Sequence, residues 1–215
     1  SMHSPQVTQS NDGEYYVISF LASDIPHFYN YETNSNNGSF GLGAQVFDKN
    51  NMPFTDFFFI NPTINGDQGR NQDVISLDNG NFAAIYSNSE IQGEIALQIF
   101  DISGNKIGSE KVVNNHSSGW IETAGLTSSG EIVVVYNVST NNGFQKSFSV
   151  FDNNGERLFT SENFLPSHIA GARFVNLGSE EFGLIVYYNS NANYQDEFGE
   201  WHAKSTELLK FDNSY

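Results

Sequence analysis

The sequence has no cysteine and few basic residues. Among its 215 residues, nine are Lys or Arg and 25 are Asp or Glu, so the formal net charge at pH 7 is −16. Without cysteine the chain can form no disulfide, use no catalytic thiolate and bind no metal through sulfur. Nucleic acids and anionic membrane surfaces are excluded as partners, because both require clustered Lys and Arg. The chain contains no run of about 18 apolar residues, so we expect no membrane insertion.

Aromatic residues, by contrast, are plentiful and make up 14% of the chain. This apolar content predicts a folded core and argues against disorder. A chain of this length suits one domain, since all-β domains commonly reach about 200–250 residues. We therefore expect residues 1–215 to form a single domain.

A repeat of about 50 residues runs through the whole chain. Its marker is the dipeptide Phe-Asp, which occurs at Phe47-Asp48, Phe100-Asp101, Phe151-Asp152 and Phe211-Asp212. An apolar segment of one type precedes each marker, and these segments are YYVISFLAS from Tyr15, NFAAIYSNS from Asn81, EIVVVYNVS from Glu131 and FGLIVYYNS from Phe182. The four repeats cover about residues 5–61, 62–114, 115–166 and 167–215.

Each repeat predicts a meander of four short strands. Segments rich in Val, Ile, Phe and Tyr are bounded by Gly, Asn, Asp and Ser, which is typical of strands joined by hairpins. No apolar pattern of helical period extends beyond about two turns. In the turns after the first three Phe-Asp pairs, FDKNN, FDISG and FDNNG, we expect the Asp side chain to accept backbone hydrogen bonds while Gly104 or Gly155 takes a positive φ. The fourth repeat stops before its last strand.

Four meanders of this size predict an all-β, β-propeller-like fold with four blades, the last of them incomplete. One blade cannot bury both its faces alone and must stack on its neighbours. A β-sandwich is the alternative, since a meander repeat is compatible with it. The incomplete fourth repeat also predicts an open strand edge through which the chain can oligomerise.

The second repeat, from Val74 to Asn114, resembles tandem repeats of large secreted bacterial adhesins and hemolysin-type, RTX-like proteins. Its match to their FDxxGxxxGxExxVN pattern consists of Phe100, Asp101, Gly104, Gly108, Glu110, Val113 and Asn114, with Ile95 and Gln98 ahead of them. The third repeat keeps Phe151, Asp152, Gly155 and Glu162, and the first keeps Gln45, Phe47, Asp48 and Asn61. The resemblance implies an extracellular or cell-surface bacterial protein with a propeller-like module. It implies no catalytic residue.

Two insertions interrupt the repeat between its second strand and its Phe-Asp strand. They lengthen the first and fourth repeats after Ser23 and after Ser190, and both are aromatic and acidic. In a closed ring these two repeats are neighbours, so we expect the insertions to converge, and loops on a rigid scaffold commonly carry binding sites. The candidate ligand-binding residues are Phe28, Tyr29, Tyr31, Glu32, Tyr194, Asp196, Glu200 and Trp201.

These residue types predict binding of a glycan or a peptide. Sugar faces stack on aromatic rings and sugar hydroxyls donate to carboxylates, whereas a peptide would present basic or apolar groups. A purely structural alternative is that the aromatic side chains pin two long loops while the carboxylates are solvated. We predict a non-enzymatic structural or ligand-binding module of an adhesin. A carbohydrate-active enzyme or lectin with its site on the same loops is the alternative.

No reaction motif accompanies these loops. A glycosidase requires two carboxylates about 5–9 Å apart, and nothing in the acidic run Asp196, Glu197 and Glu200 fixes such a pair. The sequence therefore predicts no catalytic residue.

No dedicated cofactor site is predicted either. His27 and His202 with Glu32 and Glu200 are weak candidates for zinc. The FDNNGE turn lacks the ligand series of a calcium loop, so calcium remains possible mainly around residues 196–200.

Overall fold

The computed structural model describes residues 2–23, 40–61, 68–88, 94–114, 119–140, 143–165, 169–178, 181–188, 193–195, 201–203 and 206–212. All regular elements in these ranges are β-strands, and the described residues include no helix that could cross a membrane. The strands are β1 (Met2–Gln9), β2 (Tyr15–Ser23), β3 (Phe40–Asp48), β4 (Phe58–Phe59), β5 (Gln68–Ser76), β6 (Phe82–Asn88), β7 (Glu94–Phe100), β8 (Lys106–Val112), β9 (Gly119–Leu126), β10 (Ile132–Thr140), β11 (Gly143–Phe151), β12 (Arg157–Leu165), β13 (Ile169–Asn176), β14 (Glu181–Tyr188), β15 (Asn193–Gln195), β16 (Trp201–Ala203) and β17 (Thr206–Asp212).

The strands form four antiparallel sheets, which are the blades of a β-propeller. Blades 1, 2 and 3 are the meanders β1-β2-β3-β4, β5-β6-β7-β8 and β9-β10-β11-β12. Blade 4 has three strands, β13-β14-β17, and the separate hairpin β15-β16 lies between β14 and β17 in the chain. The predicted four-bladed propeller with an incomplete last blade is thus confirmed, and the sandwich alternative is not the observed arrangement.

The second strand of each blade is apolar because it is covered on both faces. In β6, Phe82 and Ala84 pack toward blade 1 while Ala83 and Ile85 pack toward blade 3. In β10 the run from Ile132 to Tyr136 is fully buried. Since successive side chains of a strand point to opposite faces, only a continuous apolar run can fill both seams between blades.

Three hydrophobic clusters fill three seams between neighbouring blades. One joins blades 1 and 2 around Leu42 and Phe100, the second joins blades 2 and 3 around Ile95 and Tyr136, and the third joins blades 3 and 4. The third cluster includes Phe182, which stacks on neighbouring rings of its own blade. Blades 2 and 3 are therefore packed on both faces by described residues.

The turns after the Phe-Asp pairs have the predicted geometry. Oδ1 of Asp101 accepts hydrogen bonds from the backbone N–H groups two and four residues ahead, at 2.9 and 2.8 Å, and Asp48 and Asp152 do the same. Gly104 and Gly155 have φ of 81° and 82°. These carboxylates satisfy the turn backbone.

The other residues that carry the resemblance also hold the fold together. Gln98 donates from Nε2 to the carbonyl of Ile107 in the fourth strand of its blade, at 3.3 Å. Glu110 accepts the hydroxyl hydrogen bond of the buried Tyr86. Asn114 Oδ1 accepts the backbone N–H of Ile95 at 2.7 Å, at the start of the third strand. The signature residues therefore hold the fourth strand of a blade against its second and third strands.

The first strand of each blade lies nearest the propeller axis. β1, β5, β9 and β13 are edge strands of their sheets, and each contacts the next in this order. Met2 pairs with Ala22, and Ile169 pairs with Tyr188. The second strands of blades 1 and 4 therefore end where the inner strands begin. Both insertions connect strands at that end of the propeller, which we name the insertion face.

Candidate functional site

A polar cavity of about 420 Å³ lies on the axis. The inner strands of all four blades contribute to its lining, which consists of Ser4, Gln6, Gln72, Asp73, Trp120, Ile121, Glu122 and Arg173. Ser4 and Trp120 lie near the starts of their strands, so the cavity is nearer to the insertion face. We name it the channel cavity.

Asp73 is a carboxyl held between two inner strands. Its Oδ2 accepts the backbone N–H of Ala124 in the next blade, at 3.0 Å. Burial raises the pKa of Asp73, and the hydrogen bond from Ala124 and the nearby charge of Arg173 only partly offset that effect. The channel cavity thus contains a carboxyl that binds a proton more readily than an exposed aspartate.

Glu122 lies in the adjacent blade, and its pKa is shifted in the opposite direction. Its Oε1 accepts the backbone N–H of Ala172 at 2.9 Å, and its Oε2 accepts Asn137 Nδ2 at 2.7 Å and Lys146 Nζ at 3.1 Å. Burial alone would raise the pKa of Glu122, but these three donors outweigh it and lower the pKa. Glu122 therefore stays ionised.

The cavity wall also contains hydrogen-bond acceptors without a partner. Gln72 is 9% exposed, and its Oε1, like that of Gln6, has no hydrogen-bond partner among the described residues. Across the seam between blades 1 and 2, Gln72 Nε2 donates to Ser4 O and Gln6 Nε2 donates to Gln72 O, each at 2.7 Å. Buried polar atoms normally have a partner, so these two amide oxygens are unsatisfied acceptors beside the cavity.

One aromatic residue completes the lining. Trp120 packs edge-to-face against Phe144, with ring centroids 4.7 Å apart, and Phe144 is 58% exposed. Arg173 is exposed, and its Nη1 donates to Glu122 O at 3.2 Å. The cavity therefore brings together two carboxyls, a guanidinium, two amides and an indole.

Most of the site predicted from the insertions lies outside the described residues, namely Phe28, Tyr29, Tyr31, Glu32, Asp196 and Glu200. Tyr194 and Trp201 belong to the hairpin β15-β16, where Tyr194 pairs with His202 and Gln195 with Trp201. Whether residues 23–40 and 189–206 converge stays a prediction. The described residues contain no group of three His, Asp or Glu side chains placed to hold a metal ion.

Sequence reasoning missed the channel cavity, although the repeat carries a signal for it. Gln6, Asp73, Thr123 and Arg173 each directly precede the leading segment of their repeat, which begins at residue 7, 74, 124 or 174. Gln6, Asp73 and Arg173 line the cavity. At the equivalent position in the third repeat, the hydroxyl of Thr123 accepts the backbone N–H of Phe174 at 3.2 Å, and the neighbouring Glu122 lines the cavity instead.

No family model and no curated protein matches the chain, whereas solved structures do. The Hadza microbial sialidase Hz136 is 8% identical, with a TM-score of 0.61, over 100% of this chain and 45% of that one. The β-propeller domain of the Trilobed protease from Pyrococcus furiosus, which has an open velcro topology, is 12% identical, with a TM-score of 0.51, over 98% and 57%. A polysaccharide lyase, an ulvan lyase, is 13% identical, with a TM-score of 0.53, over 98% and 56%.

The chain thus spans about half the length of these similar proteins. At such identities the likeness concerns the backbone, and it shows that the fold is a β-propeller.

Proposed function

We propose that the chain is a non-enzymatic ligand-binding module of a secreted or surface-associated bacterial adhesin, and that its ligand is a glycan. The observation that carries the proposal is the channel cavity, to which all four blades contribute. Its volume of about 420 Å³ falls within the range of about 300–1,000 Å³ for small-molecule sites.

The lining fits a ligand rich in hydroxyl groups. Carboxylate and amide oxygens accept hydrogen bonds from hydroxyls, Arg173 can donate to ring or hydroxyl oxygens, and Trp120 offers an apolar surface to the C–H face of a sugar. Small-molecule pockets are mostly apolar, whereas this one is predominantly polar, which favours a sugar over an apolar ligand.

Two further observations support the proposed adhesin module and its glycan ligand. The signature of the second repeat resembles that of secreted adhesins, and in this structure its residues serve blade closure. Two of the similar solved structures are named as a sialidase and a polysaccharide lyase, and both names concern carbohydrates. Their likeness supports a ligand class and assigns no residue.

The two tryptophans of the chain provide a matched test. We expect a glycan array to reveal at least one bound sugar. Trp120→Ala is expected to weaken binding of that sugar by tenfold or more, since truncation of a Trp that anchors a ligand costs about 2 kcal/mol or more, and Trp201→Ala to leave it within about threefold. Far-UV circular dichroism of each variant controls for folding.

Three outcomes would contradict the proposal. Binding of no sugar by the folded chain would remove the ligand class, and binding of a peptide instead would replace it. Loss of binding in Trp201→Ala but not in Trp120→Ala would move the site to the insertions, as the sequence alone predicts.

A carbohydrate-active enzyme is the second candidate, and one observation favours it. Asp73 has a raised pKa and Glu122 a lowered one within the same cavity, and such divergence is typical of an acid paired with a carboxylate. The test is cleavage of a polysaccharide panel. Activity that survives chelation and is lost in Asp73→Asn would establish an enzyme, and its absence across the panel would favour the binding module.

A further inference from the structure

All four inner strands bulge in the half that is nearest the insertion face. Each inner strand has more residues there than the stretch of the second strand with which it pairs. The extra residues lie between His3 and Gln6, between Gln68 and Gln72, between Ile121 and Thr123, and between Ile169 and Gly171. Bulges are over-represented next to active sites, where they redirect a side chain. The channel cavity is therefore surrounded by four departures from regular strand pairing.

Two residues of these bulges line the channel cavity. Ser4 has a φ of 51°, a left-handed conformation that is uncommon for a residue other than Gly. Glu122 is the extra residue of the bulge in β9, since it lies between Ile121 and Thr123, which pair with consecutive residues of β10. The irregular backbone thus places a hydroxyl and a carboxyl at the cavity.

Both carboxyls among the described lining residues already have hydrogen-bond donors. Glu122 contacts the buried ammonium of Lys146 at 3.1 Å, and this cation balances its charge. Asp73 accepts the backbone N–H of Ala124 at 3.0 Å, and burial favours its protonated form. Neither carboxyl therefore requires a cationic ligand.

Arg173 differs from these carboxyls, because it contacts no group of opposite charge among the described residues. It is the only basic residue in the described lining of the cavity. Its Nη1 donates to the carbonyl of Glu122 at 3.2 Å, and the guanidinium forms no ion pair with a described carboxylate. A guanidinium presents its N–H groups in a planar fork that matches a carboxylate. Arg173 can therefore bind an anionic group of a ligand.

We propose that the glycan bound in the channel cavity is an acidic one, and that Arg173 binds its carboxylate. This inference rests on the proposed glycan-binding function and adds the charge of the ligand to it. The oxygens of Asp73 and Glu122 remain acceptors for sugar hydroxyls, and the indole of Trp120 remains available to a C–H face of the ring.

The net charge of −16 acts on this ligand mainly at long range. At physiological ionic strength, charges more than about 8 Å apart are largely screened, so the groups in the cavity determine which ligand charge it accepts. Lys146 balances Glu122, and Asp73 can take up a proton beside a bound carboxylate. The described carboxyls of the lining are thus compatible with an acidic sugar.

Oligosaccharides with chemically reduced carboxyl groups provide matched probes. Fragments of polygalacturonate, alginate and hyaluronan are titrated into the full chain by isothermal calorimetry, each beside its carboxyl-reduced form. Reduction keeps the ring stereochemistry and replaces the carboxylate by a hydroxymethyl group. We expect at least one acidic fragment to bind, and its reduced form to bind about 10- to 150-fold more weakly, which is the range for a hydrogen bond to a charged group.

Two substitutions with opposite effects on the charge of the cavity identify the groups that recognise the carboxylate. Arg173→Gln is expected to weaken binding of the acidic fragment by about tenfold or more and to leave the reduced form within about threefold. Asp73→Asn removes a negative charge from the lining and is expected to tighten binding of the acidic fragment by about threefold or more.

Lys49→Gln is the matched control. It removes one positive charge from an exposed ion pair with Glu14, and neither residue lines the cavity. We expect it to change binding of either form by less than about twofold. Circular dichroism of each variant controls for folding.

Four results would overturn the proposal. Equal losses for the acidic and reduced forms in Arg173→Gln would give Arg173 a purely structural role. Tighter binding of reduced than of acidic fragments, weaker binding in Asp73→Asn, or preference for κ-carrageenan fragments, which carry sulfate and no carboxylate, would remove the carboxylate as the recognised group. In each case the chain still binds a glycan, so the proposed function stands, whereas binding of no sugar would contradict both.

Discussion

Removal of the buried positive charge of Lys146 is the most informative perturbation of the blade 3 core. Lys146 is 4% exposed, and its ammonium contacts Glu122 Oε2 at 3.1 Å and Asn137 Oδ1 at 2.7 Å. Lys146→Met keeps the aliphatic chain and leaves Glu122 without its positive partner. Loss of one member of a buried ion pair costs about 3–5 kcal/mol.

We expect the lower end of that range, about 3 kcal/mol, because Glu122 lines the channel cavity and keeps donors from Asn137 and Ala172. A chain of this length loses about 2–4 °C in Tm for each kcal/mol. The Tm of Lys146→Met at pH 7 is therefore expected to fall by about 6–12 °C, as measured by circular dichroism.

The pH dependence provides an independent readout. The folded pKa of Glu122 is lowered, so its carboxylate contributes stability above the unfolded pKa, and that stability is lost as the pH falls through the folded pKa. Without Lys146 the folded pKa of Glu122 rises toward the unfolded pKa, so the part of the Tm loss on acidification that Glu122 contributes becomes smaller. Melting curves from pH 7 to pH 3 for both proteins test this shift.

The double variant Lys146→Met, Glu122→Gln is the control. A neutral amide at position 122 no longer needs the ammonium, so we expect the double variant to be more stable than Lys146→Met alone. A Tm drop of less than about 2 °C, or strictly additive effects of the two substitutions, would refute the importance of the pair.

Three further substitutions test other parts of the fold. Asp73→Asn is expected to raise Tm at neutral pH, because burial raises the pKa of Asp73 and the ionised carboxylate destabilises the fold above that pKa. This gain in Tm should shrink as the pH falls. An equal change in Tm at all pH values would contradict the prediction. Gly125→Ala places a Cβ 1.9 Å from the Phe174 ring and is expected to cost about 1–3 kcal/mol, partly recovered with Phe174→Leu in thermal melts. Asn114→Ala leaves a buried N–H without its acceptor and is expected to cost about 1–3 kcal/mol, while recovery by Asn114→Asp would distinguish capping from packing.

Much of the blade architecture could be predicted, because it depends on local chemistry. The turn at Asp101 and Gly104 is determined by side-chain capping and by a positive φ, both of which are properties of a few adjacent residues. The run from Ile132 to Tyr136 is apolar at successive positions, and only a strand buried on both faces requires that pattern.

The channel cavity could not be predicted in the same way, because its residues belong to four different repeats. Asp73, Glu122 and Arg173 are about 50 residues apart in the chain and meet only when the blades surround an axis. Composition directed attention to the two insertions, where aromatic and acidic residues are concentrated. The inward positions of the repeat are single residues in otherwise ordinary strands, so only an alignment of repeats on the known topology reveals them.

The three hydrophobic clusters have a consequence for local stability. In a linear stack of repeats, stability is a sum of unit terms and nearest-neighbour interface terms. Within the described part of the chain, blades 2 and 3 each take part in two clusters and blades 1 and 4 in one. Counted over these described clusters, blades 1 and 4 have fewer interface terms, so we expect them to open at a lower free energy than blades 2 and 3. Both insertions join strands of blades 1 and 4, so each insertion is attached to a blade that opens at a low free-energy cost.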